Sequence, residues 1–471
     1  MTRARYGDDS PIAAFATVTG KSALTLIRCS GKGAADIVAS VFSSDKLKRA
    51  PGNTVLHGWI ISAGKQPHDL IDEVLVSVFR APKSYTGEDG VDISCHGGPA
   101  SGRAVMETLK AAGFRDALPG EFTFRAFMNG KVELTRSESV MELVSAMTEE
   151  SRRRAVMRLS GSLEKEIGEI KKLLVEVLSS AEIFLDYSED EIEADADEIA
   201  GKLPREDAAR EALARLQKLS VSWKYERVYK EGLTLVIAGR PNAGKSSLFN
   251  MLLKEDRSIV TPVPGTTRDW IEAWISIEGI PVRLVDTAGL RESGDPVEKA
   301  GVERSLQLLD EAELVLYLID GEEGVSGEDL DFITGKKFSK PPLVLWNKSD
   351  LVPMPQLQLP SGAERLSISA KTGEGLLELD AAIIKAFKEN HFADPESGLY
   401  KAALGTARQK KHVDAACAAL EEALSLAERG EPLDLISPLL RETVNALGEI
   451  TGEVSTADIL EEMFSQFCVG K

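Results

Sequence analysis

The feature that most limits what this chain can fold into is one stretch, LTLVIAGRPNAGKSSLFNML, residues 233–252. A short apolar run ends in G-x-x-x-x-G-K-S and passes directly into a helical segment. Strand, glycine-rich loop and helix in that order present loop N–H groups and the positive end of a helix to a phosphate. Such a unit has to sit in a layer of parallel strands. Four more short apolar runs supply them: VRLVDTAG, LVLYLIDG, PLVLWNKSD and RLSISA. Helical segments alternate with these as far as IIKAFKENH, the pattern of a doubly wound α/β domain.

The flanks have other textures. Residues 1–133 mix short β-like runs (LTLIRCS, EVLVSVF, VDISCHGG) with Gly and Pro turns and read as an α+β domain. Residues 134–231 read as long amphipathic helix, and helices resume over 391–471. The expected fold is therefore multi-domain α/β. It has an α+β N-terminal domain and a helical domain split in sequence by an inserted α/β domain over 232–390. Insertion at an exposed loop between helices is well tolerated. The formal net charge of −19 excludes a generic nucleic-acid binder, whose surface would be basic. Cys29, Cys95, Cys417 and Cys468 are scattered without a CxxC pair, which fits a reducing, cytoplasmic setting. No apolar run approaches the ~18 residues of a membrane span, and the first residues carry no signal-peptide pattern.

The inserted segment carries more than its phosphate loop. Asn242, Ala243, Gly244, Lys245, Ser246 and Ser247 form that loop and the helix start. Lys245 would reach the β- and γ-phosphates, and Ser246 would ligate Mg²⁺. TTRD offers Thr267 as a second Mg²⁺ hydroxyl. In DTAG, Asp286 stands where an outer Mg²⁺ carboxylate is needed, Thr287 and Ala288 follow, and Gly289 can offer its N–H to the γ-phosphate. NKSD places Asn347, Lys348 and Asp350 after an apolar strand. The Asp350 carboxylate can accept two hydrogen bonds from guanine, a pair adenine cannot donate, so it selects GTP over ATP. Ser369, Ala370 and Lys371 follow the next strand and would support the base. These five elements in this order resemble the translation-factor-type GTPase motif set. One residue is out of keeping: the position after DTAG, where Ras-like switches carry a water-orienting glutamine, is Leu290.

The whole chain resembles the MnmE (TrmE) family of tRNA uridine-modification GTPases. The resemblance rests on HGGP (96–99), PGEFTFRAF (119–127), DYSEDEI (186–192), GRPNAGKSS (239–247), DTAGLRE (286–292), ITGEVSTADIL (450–460) and the terminal FCVGK (467–471). It implies a homodimer formed through the N-terminal domains. It also implies an FAD-dependent MnmG-type partner in a heterotetramer or larger complex. The implied reaction places an aminomethyl-type group, carboxymethylaminomethyl, at C5 of the wobble uridine of certain tRNAs. GTP, Mg²⁺, K⁺ and a 5-formyl- or methylene-tetrahydrofolate are the implied cofactors. In the family K⁺ takes the place of an arginine finger. Here that assigns the cation to Asn242 and to the loop of Thr261, Val263 and Thr266, whose neutral oxygens suit a monovalent ion. The resemblance gives water orientation to Glu298 in place of Leu290's missing side-chain polarity, with Arg291 in the same switch. It gives folate binding to Arg28, Asp92, Lys131 and Lys471, and a catalytic role to Cys468. Family members usually have glutamate where Asp92 stands, so the carboxylate here is one methylene shorter.

The alternative is a ribosome-assembly or signalling GTPase acting as a binding switch. Such proteins share the phosphate loop and NKxD but normally add a basic RNA-binding domain. This acidic chain has no obvious one, and FCVGK would then have no use. A folate enzyme that uses its GTPase only for regulation is a further alternative.

If Glu298 orients the water, Glu298→Ala leaves GTP affinity near normal while hydrolysis in K⁺ falls ~10²–10⁴-fold. Single-turnover hydrolysis at saturating GTP measures this. A parent-like rate would put the water in other hands.

Overall fold

The computed structural model describes residues 6, 8–62, 69–186, 203–253, 257–259, 271–286, 308–310, 312–335, 341–356, 364–391, 402–453 and 457–471. In chain order the first elements are β1 (Ile12–Phe15), β2 (Leu24–Ser30), α1 (Ala34–Ser40), α2 (Lys46–Arg49), β3 (Thr54–Ile61), β4 (Leu70–Phe79), β5 (Gly90–His96), α3 (Pro99–Ala112), β6 (Arg115–Asp116), α4 (Glu121–Met128) and α5 (Leu134–Ser145). Then come α6 (Glu149–Leu159), α7 (Ser162–Asp186), α8 (Glu206–Glu231), β7 (Leu233–Gly239), α9 (Lys245–Leu252), β8 (Ile271–Ile277), β9 (Ile280–Asp286), β10 (Leu314–Asp320) and α10 (Gly327–Gly335). The last are β11 (Leu343–Asn347), β12 (Arg365–Ser367), α11 (Leu376–His391), α12 (Ala407–Glu428), α13 (Leu433–Thr451) and α14 (Ala457–Ser465). They fall into two compact units, residues 1–141 with 444–471, and residues 142–443.

The first unit is built on a six-stranded sheet in the order β3-β4-β5-β2-β1-β6. Alternation along LIDEVLVSVF turns Val74, Val76 and Val78 into one face of it, where Ile27, Cys29 and Ile93 join them. Helices α1 and α3 cover that face with Val38, Val105 and Leu109. The opposite face carries exposed Leu24, Val55, Trp59 and Leu75. It also carries Arg28 and Asp92, which stand directly opposite each other across β2 and β5. A smaller aromatic core joins α4 to the end of the chain: Phe124 meets Phe464 edge-on at 5.5 Å, and Phe467 lies tilted beside Phe464 at 5.2 Å.

In the second unit, α7, α8 and α12 are long helices of 25, 26 and 22 residues. Ala209, Ala212, Leu216 and Leu219 recur at helical spacing along α8 and are buried. The α/β segment interrupts this helical part in sequence. Helix α8 precedes it and α12 follows it, yet the two lie side by side: Ser220 Oγ donates to Asp414 Oδ1 at 2.8 Å and Gln217 Nε2 to Glu421 Oε1 at 2.8 Å. The inserted sheet runs β12-β11-β10-β7-β9-β8, all parallel except β8, which pairs antiparallel with β9 at the edge. This is the expected doubly wound architecture, with β7 and its loop near the middle.

Polar as well as apolar groups hold the helical part. Glu226, on α8, is 3% exposed and accepts from Arg154 Nη1 at 2.5 Å and Arg158 Nη1 at 2.6 Å. Arg158 Nε also donates to Glu142 at 2.6 Å, and Arg154 lies over the Tyr229 ring at 3.9 Å. Buried charges survive only when so paired. Glu226→Ala would take from each of two buried guanidiniums one of its two carboxylates, leaving Arg154 with Glu150 and Arg158 with Glu142, and a loss of ~3 kcal/mol is expected in chemical denaturation.

Candidate functional site

The nucleotide motifs meet at the carboxyl ends of β7, β9 and β11, where open α/β sheets bind ligands. β7 ends at Gly239, and the loop closes into α9 through Gly244 at φ 98. Gly244 is fixed twice over. That backbone region disfavours L side chains, and a Cβ there would stand 2.1 Å from Asn347 Nδ2. Lys245 is buried, with Nζ donating to the carbonyls of Gly239 at 2.8 Å and Arg240 at 2.7 Å. Its ammonium is therefore already folded back over the loop. Ser246 Oγ donates to Asp286 Oδ2 at 3.2 Å, and Asp286 is 1% exposed at the end of β9. A hydroxyl backed by a buried carboxylate is an oxygen set suited to Mg²⁺. Asn242 is exposed at φ 65, Ala243 is buried and Ser247 is exposed.

Asn347 ties three of the motifs together. Its Nδ2 donates to the Ala243 carbonyl at 2.8 Å, and its Oδ1 accepts from the Ala370 N–H at 2.9 Å. Both ends of one buried amide are thus used, one on the phosphate loop and one on the segment that would support the base. Ser369 is fully buried and its Oγ accepts from the Thr372 N–H at 3.2 Å, while Lys371 is exposed. Asp350 is exposed beyond β11, free to meet a base edge. Lys348 takes φ 63, and its ammonium pairs with Asp320 at 2.8 Å and Glu322 at 2.7 Å. Hydrogen bonding to Asp320 and then Glu322 raises the Lys348 pKa above its usual range. Thr261, Val263, Thr266, Thr267, Thr287, Ala288, Gly289, Arg291 and Glu298 lie outside the described residues.

A second cluster lies within the first unit, on the open face of its sheet. Arg28 Nε approaches Asp92 Oδ1 at 3.4 Å, and Arg28 Nη1 donates to the Gly470 carbonyl at 3.4 Å. The guanidinium also sits 5.8 Å from the Tyr85 ring and 5.9 Å from the Phe122 ring. Burial holds the Asp92 carboxyl above its ordinary pKa even though Arg28 pulls the other way. The chain end is docked by its backbone. The Gly120 N–H donates to Cys468 O at 3.3 Å and the Phe122 N–H to Lys471 O at 3.2 Å. Gly470 packs so tightly that a Cβ would stand 2.5 Å from the Phe15 carbonyl. The Cys468 thiol is exposed, whereas burial pushes the Cys95 and Cys417 thiols up to about 11 and about 12. Lys131 donates to the Pro82 carbonyl at 3.0 Å, on the loop that carries Tyr85. Sequence reasoning missed Tyr85 and Phe122 as walls of this cluster. Their only signal was aromatic character inside turn-rich segments, SYTGEDG and PGEFTF.

Comparison with known proteins covers the whole chain. The family model described as MnmE helical domain matches residues 134–468, and that of the GTP-binding protein TrmE N-terminus matches residues 11–131. The chain is 42% identical to the tRNA modification GTPase MnmE of Treponema denticola, with 100% of each chain covered. It is 39% identical to that of Carboxydothermus hydrogenoformans, covering 98% of this chain and 100% of the relative. With the Bacillus cereus protein of the same name it shares 36%, over 98% of this chain and 99% of the relative.

Gly244→Ala is expected to cost nucleotide binding outright, because the new methyl must displace Asn347 and break its bond to Ala243. Fluorescence titration with a labelled guanine nucleotide measures this. Parent-like affinity would show that the loop tolerates a Cβ.

Proposed function

The chain belongs to the tRNA modification GTPase MnmE family, and from that premise we propose that this GTP hydrolase acts in K⁺, with an FAD-dependent partner, on the wobble uridine of certain tRNAs. The product is a carboxymethylaminomethyl-type group at C5, its one-carbon unit drawn from a tetrahydrofolate. We further assign the folate-binding and dimerisation role to residues 1–133, the GTPase role to 232–390, and the scaffold to the helices of 134–231 and 391–471. The protein would work in the cytoplasm as a homodimer within a heterotetramer or larger assembly. Among the described residues no helix is long and apolar enough to cross a membrane.

One observation carries the reading past GTP hydrolysis: the docked chain end beside Arg28. A GTPase switch has no use for a chain end that carries a thiol and a lysine and is docked by its backbone beside an Arg–Asp pair walled by aromatic rings. A pterin donating N–H groups and a glutamate tail would use all of them. Asp92, its carboxyl pKa raised by burial, would accept a pterin N–H, and Arg28 and Lys471 would be cations for the tail's carboxylates. Exposed Tyr85 offers a face for stacking, while buried Phe122 backs the Arg28 guanidinium from within. Bound folate supplies the one-carbon unit. The chain's own part is to orient it and to present Cys468, whose thiol is open to solvent.

In the nucleotide site, Ser246 and Thr267 would hold Mg²⁺, with Asp286 behind Ser246. Asn242, Thr261, Val263 and Thr266 would hold K⁺, whose charge would supply electrostatic stabilisation of the transition state. The exposed apolar side chains Leu24, Val55, Trp59 and Leu75 on the open sheet face support dimerisation through the N-terminal part.

Mass spectrometry of tRNA nucleosides from cells lacking this chain tests the proposal. The C5 group is expected to disappear from the wobble uridine, and an unchanged wobble uridine would end the tRNA reading. Complementation with Cys468→Ser is expected to leave the modification missing while the purified variant still hydrolyses GTP. Normal modification in that strain would reduce Cys468 to a surface residue.

A further inference from the structure

The segment from the last residue of β10 through the connecting loop to the first turn of α10, residues 320–329 and called the 320–329 loop below, touches both ends of the nucleotide site without belonging to any of its motifs. At one end is Asp329, which is 0% exposed. Its Oδ2 accepts from the Ser326 N–H at 2.8 Å and from Ser326 Oγ at 2.8 Å. The Asp329 N–H donates back to Ser326 Oγ at 3.3 Å, a reciprocal cap for α10. A cap alone needs only one carboxylate oxygen. The other, Oδ1, accepts from Tyr317 Oη at 2.9 Å, and Arg240 Nε lies between the two oxygens, 3.3 Å from Oδ1 and 3.2 Å from Oδ2. Arg240 is the second residue of GRPNAGKSS, and its carbonyl is one of the two that receive Lys245. The loop grips the same guanidinium twice more. Gly324 O accepts from Arg240 Nη2 at 3.2 Å, and Glu323 pairs with Nη1 at 3.2 Å.

At the other end the loop holds the base-recognition motif. Asp320 and Glu322 share the Lys348 ammonium, and the Gly321 N–H donates to the Asn347 carbonyl at 3.0 Å. The loop is itself stiffened between these grips. Gly324 N–H donates to Asp320 O at 2.8 Å, and Glu322 N–H to Asp320 Oδ1 at 3.0 Å. A residue such as Lys348 at φ 63 stays there only when its surroundings insist.

We propose that the 320–329 loop is a positioning element of the guanine-nucleotide site, in which buried Asp329 fixes the start of the phosphate loop through Arg240 while Asp320 and Glu322 fix Lys348. The inference rests on reading 239–247 and 347–350 as the phosphate and base loops. Asp329 touches no nucleotide. It acts by holding Arg240 in one place, so that the loop's N–H groups and Lys245 are set before the ligand arrives. GTP and GDP share the phosphates that loop cradles, so both should lose affinity together when Asp329 lets go.

The full chain is titrated with fluorescent GTP and GDP analogues, and steady-state hydrolysis and thermal melting are followed in parallel. Asp329→Asn keeps the shape but turns an acceptor into a donor facing Arg240. Both affinities are expected to fall about tenfold, with KM for GTP rising in step and kcat changing far less. Ser326→Ala removes the hydroxyl's two bonds of the cap, keeps the N–H bond that holds Asp329 and spares Arg240, so it should lower the melting temperature yet leave both affinities at the parent value. In a double-mutant cycle, Asp329→Asn should add little once Arg240→Lys is present, because the two changes break one contact. Parent-like affinity in folded Asp329→Asn, full additivity in the cycle, or an equal affinity loss in Ser326→Ala overturns the proposal. Should Asp329→Asn not fold, Arg240→Lys and Tyr317→Phe decide, and unchanged affinity in both overturns it. Lys245→Ala is the separate control. Normal binding there would mean that 239–247 is not the phosphate loop at all.

Discussion

The nucleotide site depends on one buried amide. Asn347 has one acceptor and one donor pointing in opposite directions, and each has a single fixed partner, Ala370 and Ala243. A carboxylate in its place would have no donor for the Ala243 carbonyl, and an apolar residue would orphan that buried carbonyl, at a cost of ~1–3 kcal/mol, and release the half-buried Ala370 N–H as well. The amide also sets the size of its neighbour. With Nδ2 where it is, the residue at 244 can have no side chain. Phosphate loop, base loop and supporting loop come from three strands and over a hundred residues of chain. Their spacing is nevertheless settled by that side chain and by the order of β7, β10 and β11 in the sheet.

A comparable constraint governs the chain end. The segment that receives it, PGEFTFRAF, is braced from below by Glu121, which is 0% exposed. Arg115 donates to both of its oxygens, at 2.6 and 2.8 Å, and Arg125 Nη2 adds a contact at 3.0 Å. Burial pushes the Glu121 carboxyl up, but Arg115, the Leu118 N–H and Arg125 together hold it below its ordinary pKa. A depressed folded-state pKa contributes stability above the unfolded value and loses it as pH falls through the folded one. The platform under Gly120 and Phe122 is therefore firm at neutral pH and loosens in acid. The N–H groups of those two residues are the ones that bind Cys468 and Lys471.

What was legible in the sequence follows from how local each signal is. The phosphate loop, NKSD and the strand–helix alternation are contiguous patterns, and the architecture could be read from them directly. The helices on either side of the α/β segment, α8 and α12, were also legible, because amphipathic spacing stops at Tyr229 and resumes after Tyr400. Register was not. That Arg28 and Asp92 face each other depends on how β2 and β5 pair, and no local pattern states this. The grip of Asp329 on Arg240 spans 89 positions in sequence and was invisible for the same reason. Lys348 is a subtler case. The motif named the residue, but its carboxylate partners lie on a loop that composition marks only as acidic and glycine-containing.

Charge placement limits how an acidic chain can meet tRNA. The densest basic run in the sequence is SRRRAVMR, residues 151–158, and an inspection of charge alone would offer it to a phosphate backbone. In the folded chain each of its arginines already has a carboxylate. Arg152 pairs with Glu149, Arg153 with Glu150, Arg154 with Glu150 and Glu226, and Arg158 with Glu142 and Glu226. Arg154 and Arg158 are buried as well, so releasing them to RNA would leave Glu226 and Glu142 uncompensated in the interior. That helix serves the scaffold. The positive potential a tRNA needs has to come from residues outside this run or from the partner proposed above, which is where a net charge of −19 points as well.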